Sequence, residues 1–135
     1  LDAVQLHGRV EELDWAKFLP GVFVIRVFHM TPDEEKNAPT LHDALRPGYH
    51  HIILLDTATQ GGQDGGSGVS FNWSHVSNIP VPFLIAGGLT PDNVQEALTQ
   101  SLAAGVDTSS GVETEGQKDT AKITAYVENA RRVLS

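Results

Sequence analysis

Two loops of small residues and one acid at the end of an apolar run carry the chemistry this sequence can support. Ala86-Gly87-Gly88-Leu89 and Asp107-Thr108-Ser109-Ser110-Gly111 each leave an apolar segment. Small side chains let backbone N–H groups come close to a ligand, and the first loop runs into a helix start, where unpaired N–H groups favour an anion. A phosphate group held by Gly87, Gly88, Asp107, Ser109 and Ser110 is the expected ligand. Taken singly, Gly87 and Gly88 describe a tight strand-to-helix turn, and Ser109 and Ser110 describe ordinary helix caps. Their recurrence after two consecutive strands favours phosphate. Asp107 is expected to bind neighbouring N–H groups or to position a serine hydroxyl.

Asp56 ends the run His51-Ile52-Ile53-Leu54-Leu55-Asp56. It is the first catalytic candidate, because a carboxyl among apolar neighbours tends to keep its proton and so suits a proton donor near neutral pH. The competing reading is an acid that only caps the following loop. That loop, Thr57 to Trp73, holds Gly61-Gly62, Gly65-Gly66-Ser67-Gly68 and Phe71-Asn72-Trp73. Its length suits an active-site cover better than a plain connection. The glycines follow neither a dinucleotide-binding nor a P-loop pattern.

His7 ends the strand Val4-Gln5-Leu6 and is expected at the same rim as Asp56, either as a binding group or as a structural histidine. Gln5 and Arg26 are expected to point inward or to the rim. The six histidines, His7, His29, His42, His50, His51 and His75, form no H-x-H or H-E-x-x-H pattern, and there are no cysteines. Metal ligation and a disulfide framework are therefore not expected.

Positioning these groups requires strands that end at one rim. Five segments read as buried strands: Ala3–Leu6, Phe23–Phe28, Ile52–Asp56, Phe83–Ala86 and Gly105–Ser109. The middle three are near-continuous apolar runs, as expected for parallel strands covered on both faces. Helices are expected over Val10–Leu19, after Thr90-Pro91-Asp92-Asn93 with an apolar stripe Val94, Ala97, Leu98 and Leu102, and over Thr120–Leu134 with a stripe Ile123, Val127, Ala130 and Leu134. Only short helical pieces are expected at Leu41–Leu45 and Trp73–Val76.

Strands alternating with helices imply βαβ units and a parallel sheet. Closure is left open by the pattern itself, since five units fit an open flavodoxin-type sheet or part of a barrel of roughly 250 residues. The two small-residue loops favour the barrel, whose usual phosphate site follows strands seven and eight. Composition is that of an ordinary soluble globular protein: 135 residues, 40% hydrophobic and 19% charged. Nine Lys and Arg against 17 Asp and Glu, a net charge of -8, argue against a nucleic-acid partner. No apolar stretch approaches the ~20 residues of a membrane span. With no leader visible, a cytoplasmic protein is expected.

Read together, Val4-Gln5-Leu6-His7-Gly8, Leu54-Leu55-Asp56, Gly65-Gly66-Ser67-Gly68 with Phe71-Asn72-Trp73, Ala86-Gly87-Gly88-Leu89-Thr90-Pro91-Asp92-Asn93-Val94 and Val106-Asp107-Thr108-Ser109-Ser110-Gly111-Val112-Glu113 with Gly116-Gln117-Lys118-Asp119 resemble phosphoribosylanthranilate isomerase of tryptophan biosynthesis. The resemblance covers nearly the whole chain, in order, and corresponds to that family's strands four to eight. It implies a (β/α)8 TIM barrel of which residues 1–135 are the C-terminal part, about five β/α units without the first three strands.

The implied reaction is an Amadori rearrangement of N-(5-phosphoribosyl)anthranilate to 1-(2-carboxyphenylamino)-1-deoxyribulose 5-phosphate, without a cofactor or metal. Asp56 matches the family's acid. Gly87, Gly88, Asp107, Ser109 and Ser110 match its phosphate site, and His7 is carried over as substrate-binding. The family's base, a cysteine, and its anthranilate-holding arginine belong to strands absent here, so these residues alone are expected to be inactive. The expected partners are the phosphorylated sugar-anthranilate substrate, the first barrel units in the same or another chain, and possibly fused tryptophan-pathway domains. Asn72, where the family often has Asp, and Thr108 depart from the pattern. The competing readings are another phosphosugar barrel, such as a pentulose-phosphate epimerase or indole-glycerol-phosphate synthase, and a non-catalytic phosphate-binding module.

Overall fold

The computed structural model describes residues 1–7, 20–46, 51–58 and 71–135. The predicted helix over Val10–Leu19, His50 and most of the glycine-rich loop after Asp56 lie outside them. Five strands, β1 (Ala3–Leu6), β2 (Phe23–His29), β3 (Ile52–Asp56), β4 (Phe83–Ala86) and β5 (Gly105–Val106), form one parallel sheet in sequential order. A flavodoxin-type sheet would instead place its first strand between the second and third. Four strands agree with the sequence reading to within one residue. The fifth is shorter than Gly105–Ser109: Asp107 N–H still donates to the Ile85 carbonyl at 2.9 Å, but the chain then turns away to meet the loop after β4.

Helix α1 (Glu34–Ala44) is longer than the expected Leu41–Leu45. Pro39 lies inside it and few of its residues are apolar, so hydrophobic periodicity misses it. Beside Ala44, which is fully buried in the core, its inner contact is polar: buried Asn37 accepts from Thr31 N–H at 2.8 Å and donates to the Thr31 carbonyl at 2.7 Å. Both hydrogen-bonding ends of the amide are thereby satisfied away from water. The segment Trp73–Val76 is one turn of 3-10 helix, started by the Asn72 side chain accepting from Ser74 N–H at 3.1 Å.

Helix α2 (Val94–Ser101) begins after a turn in which Thr90 Oγ1 accepts from Asp92 N–H at 3.3 Å. Val94, Ala97 and Leu98 are buried as expected. Leu102 is not part of that stripe: it ends the helix in the left-handed region (φ 59°) and is 70% exposed. A left-handed residue at this point turns the chain toward β5, which sets its side chain outward.

Helix α3 spans Thr120–Leu134 as predicted, and Ala130 of the expected stripe is buried, but its other buried position is Tyr126. Ile123, Val127 and Leu134, expected on the packed stripe, are 39%, 40% and 47% exposed. The side packed against α2 is therefore rotated from the one apolar periodicity suggests. The Asp119 side chain caps the helix, accepting from Ala121 N–H at 2.9 Å and Lys122 N–H at 3.2 Å, and Thr114 Oγ1 donates to its other oxygen at 2.7 Å. The Thr114 bond, followed by these backbone bonds, holds the Asp119 carboxyl below the usual carboxylate range. A lowered folded pKa stabilises above the unfolded value, near 4, and that contribution is lost as pH falls through the folded value. Asp119→Ala is expected to lower the unfolding midpoint of the full-length protein by about 3 °C at pH 7. The deficit should shrink in acid; equal midpoints at pH 7 would rule out the cap.

The two faces of the sheet are unequal. One carries Ile53, Leu55, Phe83 and Ile85 into the main core with Val94, Ala97, Leu98, Tyr126 and Ala130 of the helices. The other bears a small cluster of Val27, Leu54 and Ala86, joined by Ile25 and Leu84, in which, among the described residues, no helical residue takes part. Arg26 was expected at the inner face or rim. It lies on the helix side, in register with Leu6 and Ile53, with its guanidinium 5.2 Å from the centroid of the Phe28 ring. Burial lowers its pKa and Asp43 of α1 works in the opposite direction.

Candidate functional site

The face bearing Val27, Leu54 and Ala86 ends in polar side chains at the C-terminal tips of the strands. Register aligns His29 of β2 with Asp56 of β3, and Asp56 with Ala86 of β4. Period-two alternation places Gln5, Ile25, Val27, His29, Leu54 and Asp56 on this side. Gln5 Nε2 lies 3.1 Å from His7 Nε2, the His7 and His29 ring centroids are 6.3 Å apart, and His29 Nδ1 lies 3.4 Å from Asp56 Oδ2. His7 and Asp56 thus occupy one rim, joined through a histidine that the sequence reading had not selected.

Asp56 has its two oxygens engaged differently. Oδ1 accepts from Ala58 N–H at 2.9 Å, the loop-capping bond anticipated for it, while Oδ2 faces His29. Its side chain is 23% exposed, open enough to meet a ligand. The next residue fastens it to β4: Thr57 N–H donates to the Ala86 carbonyl at 2.8 Å, and Thr57 Oγ1 donates to the same oxygen at 2.9 Å.

Gly87 follows at once. It is in the left-handed region (φ 93°), and a Cβ there would strike Ala58 N, lie 2.5 Å from Asp56 Oδ1 and 2.8 Å from Thr57 N. Only glycine lets this loop pass so close to the acid. Gly88, also left-handed (φ 64°), is exposed with free space beside it, and its carbonyl accepts from Asn93 Nδ2 at 2.9 Å. Asn93 Oδ1 in turn accepts from Thr90 N–H at 2.8 Å, so one amide side chain sets the whole turn into α2.

The second loop is joined to the first. Thr108 Oγ1 donates to the Leu89 carbonyl at 2.7 Å, and Gly111 packs so tightly on that carbonyl that a Cβ would overlap it. Thr108, a departure from the resembled pattern, is therefore a stitch between the loops. Ser109 and Ser110 are exposed, and Ser109 makes no side-chain cap bond to the 3-10 turn Ser110–Val112. Its hydroxyl is held instead by Lys118 Nζ at 3.1 Å, which also donates to the Ser109 carbonyl at 2.8 Å and pairs with Glu113 at 2.5 Å. Glu113–Thr114 (β6) and Gln117–Lys118 (β7) form the small antiparallel hairpin that presents this lysine. Neighbouring Asp107 is exposed, close enough to raise the buried Tyr126 phenol, whose upward shift comes first from burial.

Lys118 was quoted in the sequence only as part of a motif; its sequence position gives no sign that it reaches back nine residues. Replacing it with Met is expected to weaken binding of ribose 5-phosphate to the full-length protein roughly tenfold, the effect of losing a charged hydrogen bond of about 1.5 kcal/mol. Unchanged affinity in a titration would mean that Ser109 needs no such support. His29 was overlooked for a different reason: the apolar run was read as ending at Phe28. His29 closes that run as Asp56 closes its own, and this parallel was the available signal.

Residues 1–129 match the family described as N-(5'-phosphoribosyl)anthranilate (PRA) isomerase. The chain is 45% identical over 127 residues to the multifunctional tryptophan biosynthesis protein of Schizosaccharomyces pombe, a match covering 94% of this chain and 15% of that protein. Among solved structures, the N-(5'-phosphoribosyl)anthranilate isomerase of Pyrococcus furiosus superposes with a TM-score of 0.76 at 28% identity, covering 97% of this chain and 62% of that one. A phosphoribosyl anthranilate isomerase in complex with reduced 1-(o-carboxyphenylamino)-1-deoxyribulose 5-phosphate superposes with a TM-score of 0.70 at 30% identity, covering 98% and 60% respectively. This chain accordingly spans less than two thirds of each. A family match over nearly all its residues means that the chain belongs to the N-(5'-phosphoribosyl)anthranilate isomerase family.

Proposed function

We propose that this chain supplies the acid and the phosphate cradle for the Amadori rearrangement of N-(5'-phosphoribosyl)anthranilate. The observation that carries the reading is the contact between the Asp56 carboxylate and Gly87, which brings a strand-tip acid and a small-residue loop within the span of one sugar phosphate. Gly87, Gly88, Ser109 and Ser110 hold the phosphate, with Asp107 at the edge of the cradle. His7 reaches the sugar-anthranilate from the other side of Asp56.

The chemistry follows from that placement. Asp56 gives its proton to the furanose ring oxygen as the C1–O bond breaks, and the anilino nitrogen lone pair forms the Schiff base. A base then removes the C2 proton to give the enolamine, which tautomerises to the ketone. The sequence contains no cysteine, so the cysteine base of the resembled family would come from outside these residues. Helix packing on one side among the described residues, together with sequential strands, favours five units of a (β/α)8 wall, with Asp56 at its catalytic end. The remaining units of such a wall would face the side bearing Val27, Leu54 and Ala86. The 45% identity to a multifunctional fungal protein favours a fused polypeptide.

Full-length protein should consume N-(5'-phosphoribosyl)anthranilate in a fluorescence assay, whereas residues 1–135 alone should not. Turnover by the 135 residues, or none by the full-length protein, would overturn the reading.

A further inference from the structure

We propose that His29 is a positioning residue that returns the proton to Asp56 between turnovers; the proposal rests on the reading of Asp56 as the acid. His29 and Asp56 are register partners on adjacent strands, with Nδ1 and Oδ2 3.4 Å apart. The other carboxylate oxygen is already held by Ala58 N–H. The His29 side chain is 47% exposed against 23% for Asp56, so the imidazole meets solvent more freely than the carboxyl it faces.

The spent acid is a carboxylate, because its proton has gone to the ring oxygen. Protonated His29 passes the Nδ1 proton to Oδ2: the N–H bond breaks, its electron pair stays on nitrogen, and an O–H bond forms. Neutral His29 then takes a proton from solvent. Over the cycle the sugar gains one proton at the ring oxygen and loses one at C2 through the base, so the balance with solvent is zero. Among the described residues, the ionisable groups at the strand tips around this pair are His7 beyond β1 and Asp107 beyond β5; β4 ends in Ala86, Gly87 and Gly88.

The test uses His29→Asn in the full-length enzyme. Asparagine can still donate a hydrogen bond to Asp56 but cannot titrate in this range. The expected result is a kcat about tenfold lower, an unchanged KM and unchanged affinity for the reduced product analogue. The basic limb of the kcat profile should move to lower pH, and added imidazole should restore part of the rate. A kcat within twofold of wild type would overturn the proposal. So would a loss shared by kcat and analogue binding at every pH that imidazole does not relieve, the pattern of a purely structural role. Asp56→Asn assayed alongside separates the two readings: if it stays fully active, the assignment of the acid fails, whatever His29 does.

Discussion

Asp56→Asn is expected to lower kcat of the full-length enzyme by a factor on the order of 10³ while leaving affinity for a ribose-phosphate analogue within twofold of wild type. General acids typically contribute 10²–10⁴ in rate, and here the leaving group is a poor one, a sugar alkoxide. The substitution is nearly isosteric. Its amide oxygen can still accept from Ala58 N–H, so the turn that Asp56 caps survives. What disappears is the transferable proton. Because the small-residue loops are built from other residues, phosphate binding should persist. A matching loss of affinity would mean that Asp56 acts mainly by shaping Gly87 and its loop.

Gly87→Ala should be far more damaging than Gly88→Ala, although the two glycines are adjacent and both left-handed. Each substitution carries a backbone penalty of about 1–2 kcal/mol for an L-residue in that conformation. At Gly88 nothing else opposes the new methyl. At Gly87 the methyl meets backbone at Thr57 and Ala58, which cannot swing aside, and the Asp56 carboxylate beside it. Overpacking of this kind adds about 1–3 kcal/mol, and relief would have to come from moving the acid. Chemical denaturation should therefore show Gly87→Ala destabilised by roughly 3–5 kcal/mol, with activity lost in the fraction that folds. Similar stability for the two variants would show that β3 and β4 tips do not approach as described.

The strands were legible because burial on both faces leaves apolar runs that need no alternation, and Ile52 to Leu55 or Phe83 to Ala86 carry that signature. Asp56 could be placed from its run alone, since a carboxyl after four apolar residues has to sit at a strand tip. Helix faces were harder. Leu102 fits the spacing of an apolar stripe, yet chain reversal into β5 needed a left-handed residue there, and that requirement overrode its hydrophobicity. Ile123 and Val127 also fit the period, but the side turned toward α2 is the one with Tyr126 and Ala130. In α1 the buried residues are Ala44 and Asn37, the latter a residue type that periodicity scores as solvent-facing.

The candidate site was legible to the extent that single residues reveal it. Gly87, Gly88, Ser109 and Ser110 are recognisable by type. The bonds between them are not, because they connect residues far apart in sequence. Thr108 reaches back 19 residues to Leu89, and Lys118 reaches nine to Ser109. Arg26 was expected to point inward or to the rim, whereas the aromatic ring of Phe28 and the acid Asp43 accommodate it on the helix side.

The Leu89 carbonyl is a shared anchor: it takes the Thr108 hydroxyl while Gly111 lies flush against it, and Pro91 just beyond receives the Asn129 amide from α3 at 2.9 Å. Backbone amides of the two loops and of the middle of α3 should therefore exchange with deuterium through one collective opening, at nearly equal free energies. Heating or denaturant would then abolish ligand capture and melt the last helix together, leaving no temperature interval in which an otherwise intact sheet has a loosened cradle.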